Sequence, residues 1–291
     1  MAGATSSSVY SVEVERGGST RGYVLRLFTL ERWLAQEPDL ASHEAAALQA
    51  ATHTGLPVPE LIDFLPGPAP GQPGDPAGFG APAVLMTRLP GRVELLPTDE
   101  DRWLEVMARS LAALHDHPAP AFDWRYGSWV EPANVVVPAH ATDPGLWEAA
   151  VAAYEKWRPT ERGDTFLHRD YHAMNVLFDG AGRGLRVTGV VDWVNACIGP
   201  AAADVAHCRI DLVKMKGVHA ADRFLESYSA ARGGFDYQPA WDLEAVFDVA
   251  VPDADVHGPW QHFGLSELSG GTVRARVEEH VRRALVDLGA A

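Results

Sequence analysis

His168–Arg169–Asp170–Tyr171–His172–Ala173–Met174–Asn175 is followed by an apolar run and, further on, by Asp192. The order supplies a carboxylate, an amide oxygen and a second carboxylate. Phosphoryl transfer from a nucleotide uses that set: one carboxylate orients the attacking hydroxyl, and an Asn with an Asp holds magnesium. The stretch reads as strand, loop, strand. Thr165–Phe166–Leu167 is an apolar entry and Val176–Leu177–Phe178 an apolar exit. Asp179–Gly180 and Gly182 mark a turn, and the β-rich run from Leu185 to Val191 delivers Asp192 at its end. Two short strands joined by a turn bring Asp192 back beside Asn175. Magnesium keeps several waters, so Asn175, Asp192 and phosphate oxygens suffice as ligands. Asp170 is the candidate base.

A rival reading uses the alternation of His168, Asp170 and His172. In a strand these would share one face and could bind zinc, as in a zinc-dependent hydrolase. That reading gives Asn175 and Asp192 no task. His168 is instead expected to bond backbone within the loop, and His172 to be a loop residue near the substrate.

His168-x-Asp170-x-x-x-x-Asn175, with Val190–Val191–Asp192–Trp193 downstream, resembles the catalytic and metal-binding segments of the aminoglycoside phosphotransferase (APH) family. Those are small-molecule kinases. Protein kinases carry His-Arg-Asp and Asp-Phe-Gly at the matching places. Asp192–Trp193–Val194 here points to the small-molecule branch. The resemblance implies an α+β, bilobal protein-kinase-like fold. Residues 1–88 would form a nucleotide-covering N-lobe of antiparallel strands and one helix, and residues 89–291 a mainly helical C-lobe. It also implies ATP or GTP and Mg²⁺ as cofactors.

The N-terminal third reads in those terms. Val9 to Glu15 and Gly22 to Phe28 are strands around the turn Arg16–Gly17–Gly18–Ser19–Thr20. Gly17, Gly18 and Ser19 sit where the resembled fold has its phosphate-covering hairpin, although Gly-Gly is also a generic hairpin turn. Arg26 stands where the family usually has lysine. Its planar fork can grip two phosphate oxygens. Leu25 and Leu27 point to the opposite face, so strand pattern alone does not separate this from a surface arginine. Ser42 is a candidate N-cap, with Glu44 in the first helical turn. The resemblance implies that Glu44 pairs with Arg26; a helix-dipole role for an early acid is the alternative. Gly55–Leu56–Pro57–Val58–Pro59 again looks like the family. Pro66 to Pro82 reads as a loop. By resemblance, the Thr87 carbonyl and Leu89 amide meet the nucleotide base at the hinge between lobes.

The remainder is helical by periodicity. Trp103, Val106, Met107, Leu111 and Leu114 form one stripe; further helices are expected over Leu146–Trp157, Val218–Ala231, Leu243–Val251 and Val273–Leu288. Trp124 and Trp129 lie in a segment without pattern. Gly199-Pro200-x-x-x-Asp204 resembles the family's helix after the metal ligand, with Asp204 bonding backbone near the catalytic loop.

The 291 residues are 47% hydrophobic and 22% charged, with a formal net charge of −15. The acidic balance argues against a nucleic-acid partner. It fits a small-molecule hydroxyl acceptor that is cationic. Asp248, Asp253, Asp255 and Glu267 are candidates to grip it, and Trp193 and Trp260 to stack on a sugar ring or to be core. Cys197 and Cys208 make no disulfide framework and fit a reducing cytoplasm. No run of about 18 apolar residues marks a membrane span, and the small, polar N-terminus is no secretory signal. Oligomeric state and acceptor identity are not written in these residues. A nucleotide-binding protein without catalysis is the reading from another class; Arg26 in place of lysine is the feature in its favour.

Overall fold

The computed structural model describes residues 7–67, 81–160, 162–251 and 254–290. Most of the expected Pro66–Pro82 loop, and Asp253, lie outside them.

A four-stranded antiparallel sheet in the order β1-β2-β4-β3 opens the chain. It comprises β1 (Ser8–Arg16), β2 (Ser19–Leu27), β3 (Leu61–Leu65) and β4 (Ala83–Thr87). β1 and β2 pair from Ser8↔Leu27 to Arg16↔Ser19, which leaves a two-residue turn. Gly17 and Gly18 have φ of 60° and 79°. A hairpin this short demands left-handed backbone at both positions, and glycine adopts it without steric penalty. Two helices rather than one accompany the sheet: α1 (Glu31–Gln36) and α2 (Leu40–Ala51).

α2 departs from expectation at its start. Helix geometry begins at Leu40, before Ser42, and no side chain caps it. Leu40 and Ala41 are both fully buried, so packing draws the first turn inward. Asp39, in the cap position, instead accepts a hydrogen bond from Trp124 Nε1 at 3.2 Å. Glu44 therefore lies in the second turn, beyond the reach of a first-turn dipole effect.

The helical part contains α3 (Glu100–Asp116), α4 (Pro144–Trp157), α5 (Ala201–Lys216), α6 (Val218–Ala231), α7 (Ala240–Ala245) and α8 (Gly270–Asp287). α3 packs on α6, and α5 packs on α6, α7 and α8. Asp99, Asp143 and Ser269 cap α3, α4 and α8 through side-chain bonds to the third residue on. Trp193 and Trp260 are fully buried with Trp103 and Trp147, which makes them core and removes them as sugar platforms. The helix expected over Leu243–Val251 starts at Ala240 and widens after Ala245 into a π-helical turn, Val246–Ala250.

Two small ribbons sit between the sheet and the helices. β5 (Thr165–Leu167) pairs with β8 (Cys197–Gly199), and β6 (Val176–Asp179) pairs with β7 (Arg186–Val190), all antiparallel. Backbone bonds Arg92 N→Phe178 O (3.0 Å) and Val190 N→Pro57 O (2.9 Å) fix the β6–β7 ribbon to segments following β4 and α2. Gly91 allows that approach: a Cβ there would run into Thr188 Oγ1 and the Phe178 carbonyl. No helix among the described residues is long and apolar enough to cross a membrane.

Candidate active site

The loop from His168 to Asn175 is held from behind by one buried carboxylate. Asp204, in the first turn of α5, accepts from His168 N (2.8 Å) and Arg169 N (2.7 Å), and meets His115 Nε2 at 3.1 Å. Burial raises the pKa of such a carboxyl, but the His115 hydrogen bond and neighbouring imidazoles outweigh it, and Asp204 stays below the ordinary range. Arg169 takes φ of 68°, a left-handed conformation that a branched polar residue tolerates only where its surroundings impose it. Its guanidinium stacks 3.6 Å from the Trp129 ring and 4.7 Å from the Tyr126 ring. That stacking gives the patternless Trp129 segment its place: it covers the catalytic loop.

His168 turns inward. Its Nδ1 accepts from Asp170 N at 3.3 Å, and its Nε2 bonds the Val191 carbonyl at 2.9 Å. Nε2 therefore carries the ring hydrogen, and burial keeps the pKa of this imidazole low. The same bond ties the loop to the residue before Asp192. His168, Asp170 and His172 occupy a loop, not a strand, so they share no zinc-binding face. Among the described residues no three His, Cys, Asp or Glu side chains gather as a metal cluster.

Asp170 sits at the centre. Oδ1 is 3.1 Å from His207 Nε2 and 3.4 Å from His172 Nε2, and Oδ2 accepts from Asn175 Nδ2 at 3.1 Å. Burial opposes its charge; His172 and His207 overcome that and hold it well below the usual carboxylate range. Burial likewise opposes charge on His172, but Asp170 outweighs it and raises the imidazole to about 9. The Met174 amide, 3.3 Å from Nδ1, resists a second proton.

Asn175 commits its amide nitrogen to Asp170, with a further bond to the Asp170 carbonyl at 2.9 Å. Its amide oxygen takes no part in these bonds. The backbone bond Val191 N→Asn175 O (2.9 Å) draws Asp192 alongside. Asp192, too, takes φ of 68°.

Arg26, Glu44 and Asp192 meet from β2, α2 and the end of the β6–β7 ribbon. Arg26 Nη1 lies 2.8 Å from Glu44 Oε1 and 2.6 Å from Asp192 Oδ1, and Arg26 Nε donates to Ser7 Oγ at 2.8 Å. Burial alone would lower the guanidinium pKa; the two carboxylates reverse this and raise it. Glu44 Oε2 is buried without a partner among the described residues. α2 is tied to the segment after Asp192 by His43, whose Nε2 bonds the Ala196 carbonyl at 2.6 Å while its ring stacks 4.3 Å from Trp124.

A cleft of about 160 Å³ opens over this group. Val9, Val24, Met86, Leu177 and Val191 make its apolar walls, Thr87 and Leu89 its rim, and Arg26, Glu44 and Asp192 its polar end. An apolar cleft lined also by a cation and carboxylates suits a nucleotide, with a base to bury and phosphates to hold. Gly17, Gly18 and Ser19 lie at the exposed hairpin tip and do not line it. Of the acidic candidates among the described residues, Asp248 approaches the His168–Asn175 loop, 4.0 Å from Arg169 Nη2. Asp255 bonds its own loop at Val256 N, 2.7 Å away. His207 escaped sequence reading because a lone histidine inside a helix carries no local signal.

A profile of the APH phosphotransferase enzyme family matches residues 2–242. The chain belongs to that family. Its fold is shared with an aminoglycoside phosphotransferase APH(4)-Ia variant in a ternary complex with ADP and hygromycin B. That match has TM-score 0.56 and 18% identity, covering 97% of this chain and 92% of the other. It is shared also with the amicoumacin kinase hAmiN in complex with AMP-PNP and Ca²⁺ (TM-score 0.57, 14% identity, 96% and 86% covered). A GDP complex of an aminoglycoside 2′-phosphotransferase-IIIa mutant matches with TM-score 0.58 and 18% identity over 97% and 90%. A search of curated protein sequences returns no match.

Proposed function

We propose that this protein is a kinase that moves the γ-phosphoryl group of ATP or GTP to a hydroxyl of a small, amine-bearing molecule. The observation that carries the reading is the meeting of Arg26 and Asp192 in an apolar cleft, with Asn175 bonded to Asp170 on one side and, through its carbonyl, to Val191 beside Asp192 on the other. The nucleotide base lies between Val24, Met86, Leu177 and Val191, with Thr87 and Leu89 offering backbone groups at the rim. Its phosphates reach Arg26, which Glu44 anchors. Neighbours of the same fold hold ADP, AMP-PNP or GDP, which keeps both ATP and GTP open as donors.

The donor set fits a magnesium ion. Asn175 leaves an amide oxygen and Asp192 a part-exposed carboxylate, both hard oxygen ligands. Magnesium bound there would neutralise charge on the phosphate oxygens. Asp192 is meanwhile bonded to Arg26, so cation binding exchanges one partner of this carboxylate for another. Glu44 Oε2, orphaned in this arrangement, is free to take a second guanidinium bond when Arg26 leaves Asp192. Asp170, held as a carboxylate, accepts the hydrogen bond of the acceptor hydroxyl and aligns its oxygen. Positioning and charge neutralisation supply most of the rate in such transfers. Asp248 and the acidic surface favour a cationic acceptor.

A nucleotide-binding protein without turnover is the second reading, and the Arg26–Asp192 ion pair is the observation in its favour. Incubation with Mg–ATP, Mg–GTP and a panel of amino sugars, macrolides and small alcohols separates the two. Acceptor-dependent nucleoside diphosphate release supports the kinase. Tight nucleotide binding with no release under any condition supports the alternative.

A further inference from the structure

His207, on α5, is a mostly buried imidazole for which the reaction above has no use. Its Nε2 lies 3.1 Å from Asp170 Oδ1, closer than His172 at 3.4 Å. Its Nδ1 is buried and has no hydrogen-bond partner among the described residues. We propose that His207 is a positioning residue: it fixes the Asp170 carboxylate in the orientation that receives the acceptor hydroxyl.

A comparison within the molecule supports this. His115, on α3, spends both nitrogens, one on Tyr228 Oη (2.6 Å) and one on Asp204 Oδ2 (3.1 Å). That is how a histidine serves a fold. His207 leaves one buried nitrogen unsatisfied, which is unfavourable and which an apolar side chain of similar size would remove. The contact it does make, at ion-pair distance, goes to Asp170. A carboxylate only accepts, so Nε2 carries the hydrogen. Asn175 then pins Oδ2 from within the loop and His207 pins Oδ1 from a separate helix. His172 also reaches Oδ1, at 3.4 Å, but from the loop that carries Asp170; His207 is the anchor from a separate element, and it fixes the carboxylate relative to the rest of the fold. Trp129 packs edge-on against the His207 ring, with centroids 6.5 Å apart and planes at 82°, and limits the ring's own rotation.

The proposal rests on the kinase reading, and its test keeps the two apart. His207→Leu removes the donor at similar volume; His207→Gln places an amide N–H where Nε2 stood. Turnover is read as release of ADP from Mg–ATP or GDP from Mg–GTP, first with water and then with the hydroxyl panel. The Leu variant is expected to lose about a hundredfold in kcat, the scale of a misaligned reacting group. Its nucleotide KM stays within about twofold of wild type, since only an interaction made in the transition state is lost. Its Tm is not lowered, and the Gln variant recovers most of kcat. Wild-type kcat in the Leu variant overturns the proposal. So does equal impairment of both variants with a lowered Tm, which would mark a structural residue. Long-range ¹H–¹⁵N spectra of the wild type and Asp170→Asn decide the contact without any turnover. A protonated Nε2 whose signal moves on the Asp170 substitution supports it, and an unmoved signal overturns it. Absence of nucleoside diphosphate release by the wild type from either Mg–ATP or Mg–GTP defeats the kinase reading alone.

Discussion

At the scale of single residues, Arg26 carries the most consequence. One guanidinium nitrogen serves two carboxylates, and Glu44 is 1% exposed. Arg26→Met leaves Glu44 buried without its counter-charge, and stability is expected to fall by about 3–5 kcal/mol in chemical denaturation. Arg26→Lys keeps one charge, but on a shorter stem and without the Nε–H that bonds Ser7, so it holds both partners less closely. Its expected signature is tighter magnesium binding in calorimetry, because Asp192 is released; unchanged or weaker magnesium binding would show that Arg26 does not hold Asp192 back. The Arg26–Glu44 contact was legible only through family resemblance, since strand alternation could not say which way Arg26 points. His207 was not legible at all. Its partner lies far away in the chain, and nothing in a helix sequence announces a contact made across the fold.

At the scale of elements, the catalytic loop depends on α5. Asp204 is buried and accepts two loop amides. Asp204→Ala orphans both, at about 1–3 kcal/mol for each buried donor, and is expected to lower Tm and turnover together. A pH dependence follows from the same carboxyl. Its pKa is depressed in the folded state, so its contribution is complete above the ordinary carboxylate value of about 3.9 and is lost as pH falls through the lower folded value. Asp170 and Asp242 are shifted in the same direction. These three carboxyls make the denaturant midpoint fall as pH drops below about 4; a midpoint that rises on acidification through that range would contradict these shifts. Elements with sustained apolar period were legible, as α3 and α4 illustrate. Where packing overrode local chemistry, reading failed: buried Leu40 and Ala41 start α2 ahead of Ser42, and the π-helical turn at Val246 leaves no periodic trace.

At the scale of the whole molecule, fold and site separate in legibility. The His168–Asp192 stretch defines a strand–loop–strand unit whose geometry is local, so both the bilobal kinase-like fold and its central residues could be read from it. The neighbours of the His168–Asn175 loop are assembled from distant pieces: Trp129 before α4, His207 on α5 and Asp248 after α7. No local motif links them. The net charge of −15 makes a separate prediction. If the acceptor is cationic, its KM should rise with ionic strength as the attraction is screened, while nucleotide KM moves less; a salt-independent acceptor KM would argue for a neutral one.

The central claim is that Asp170 directs a hydroxyl onto a metal-held nucleotide. Its most direct test follows label from [γ-³²P]ATP or GTP onto hydroxyl acceptors, for the wild type and Asp170→Asn, with nucleotide affinity measured in parallel. Wild-type protein should transfer label to an acceptor only with magnesium present. Asp170→Asn should lose about 10²–10⁴-fold in transfer, the scale of a general base, while binding Mg–nucleotide as before. Undiminished transfer by Asp170→Asn, or no acceptor labelled by a wild type that binds nucleotide, would contradict it.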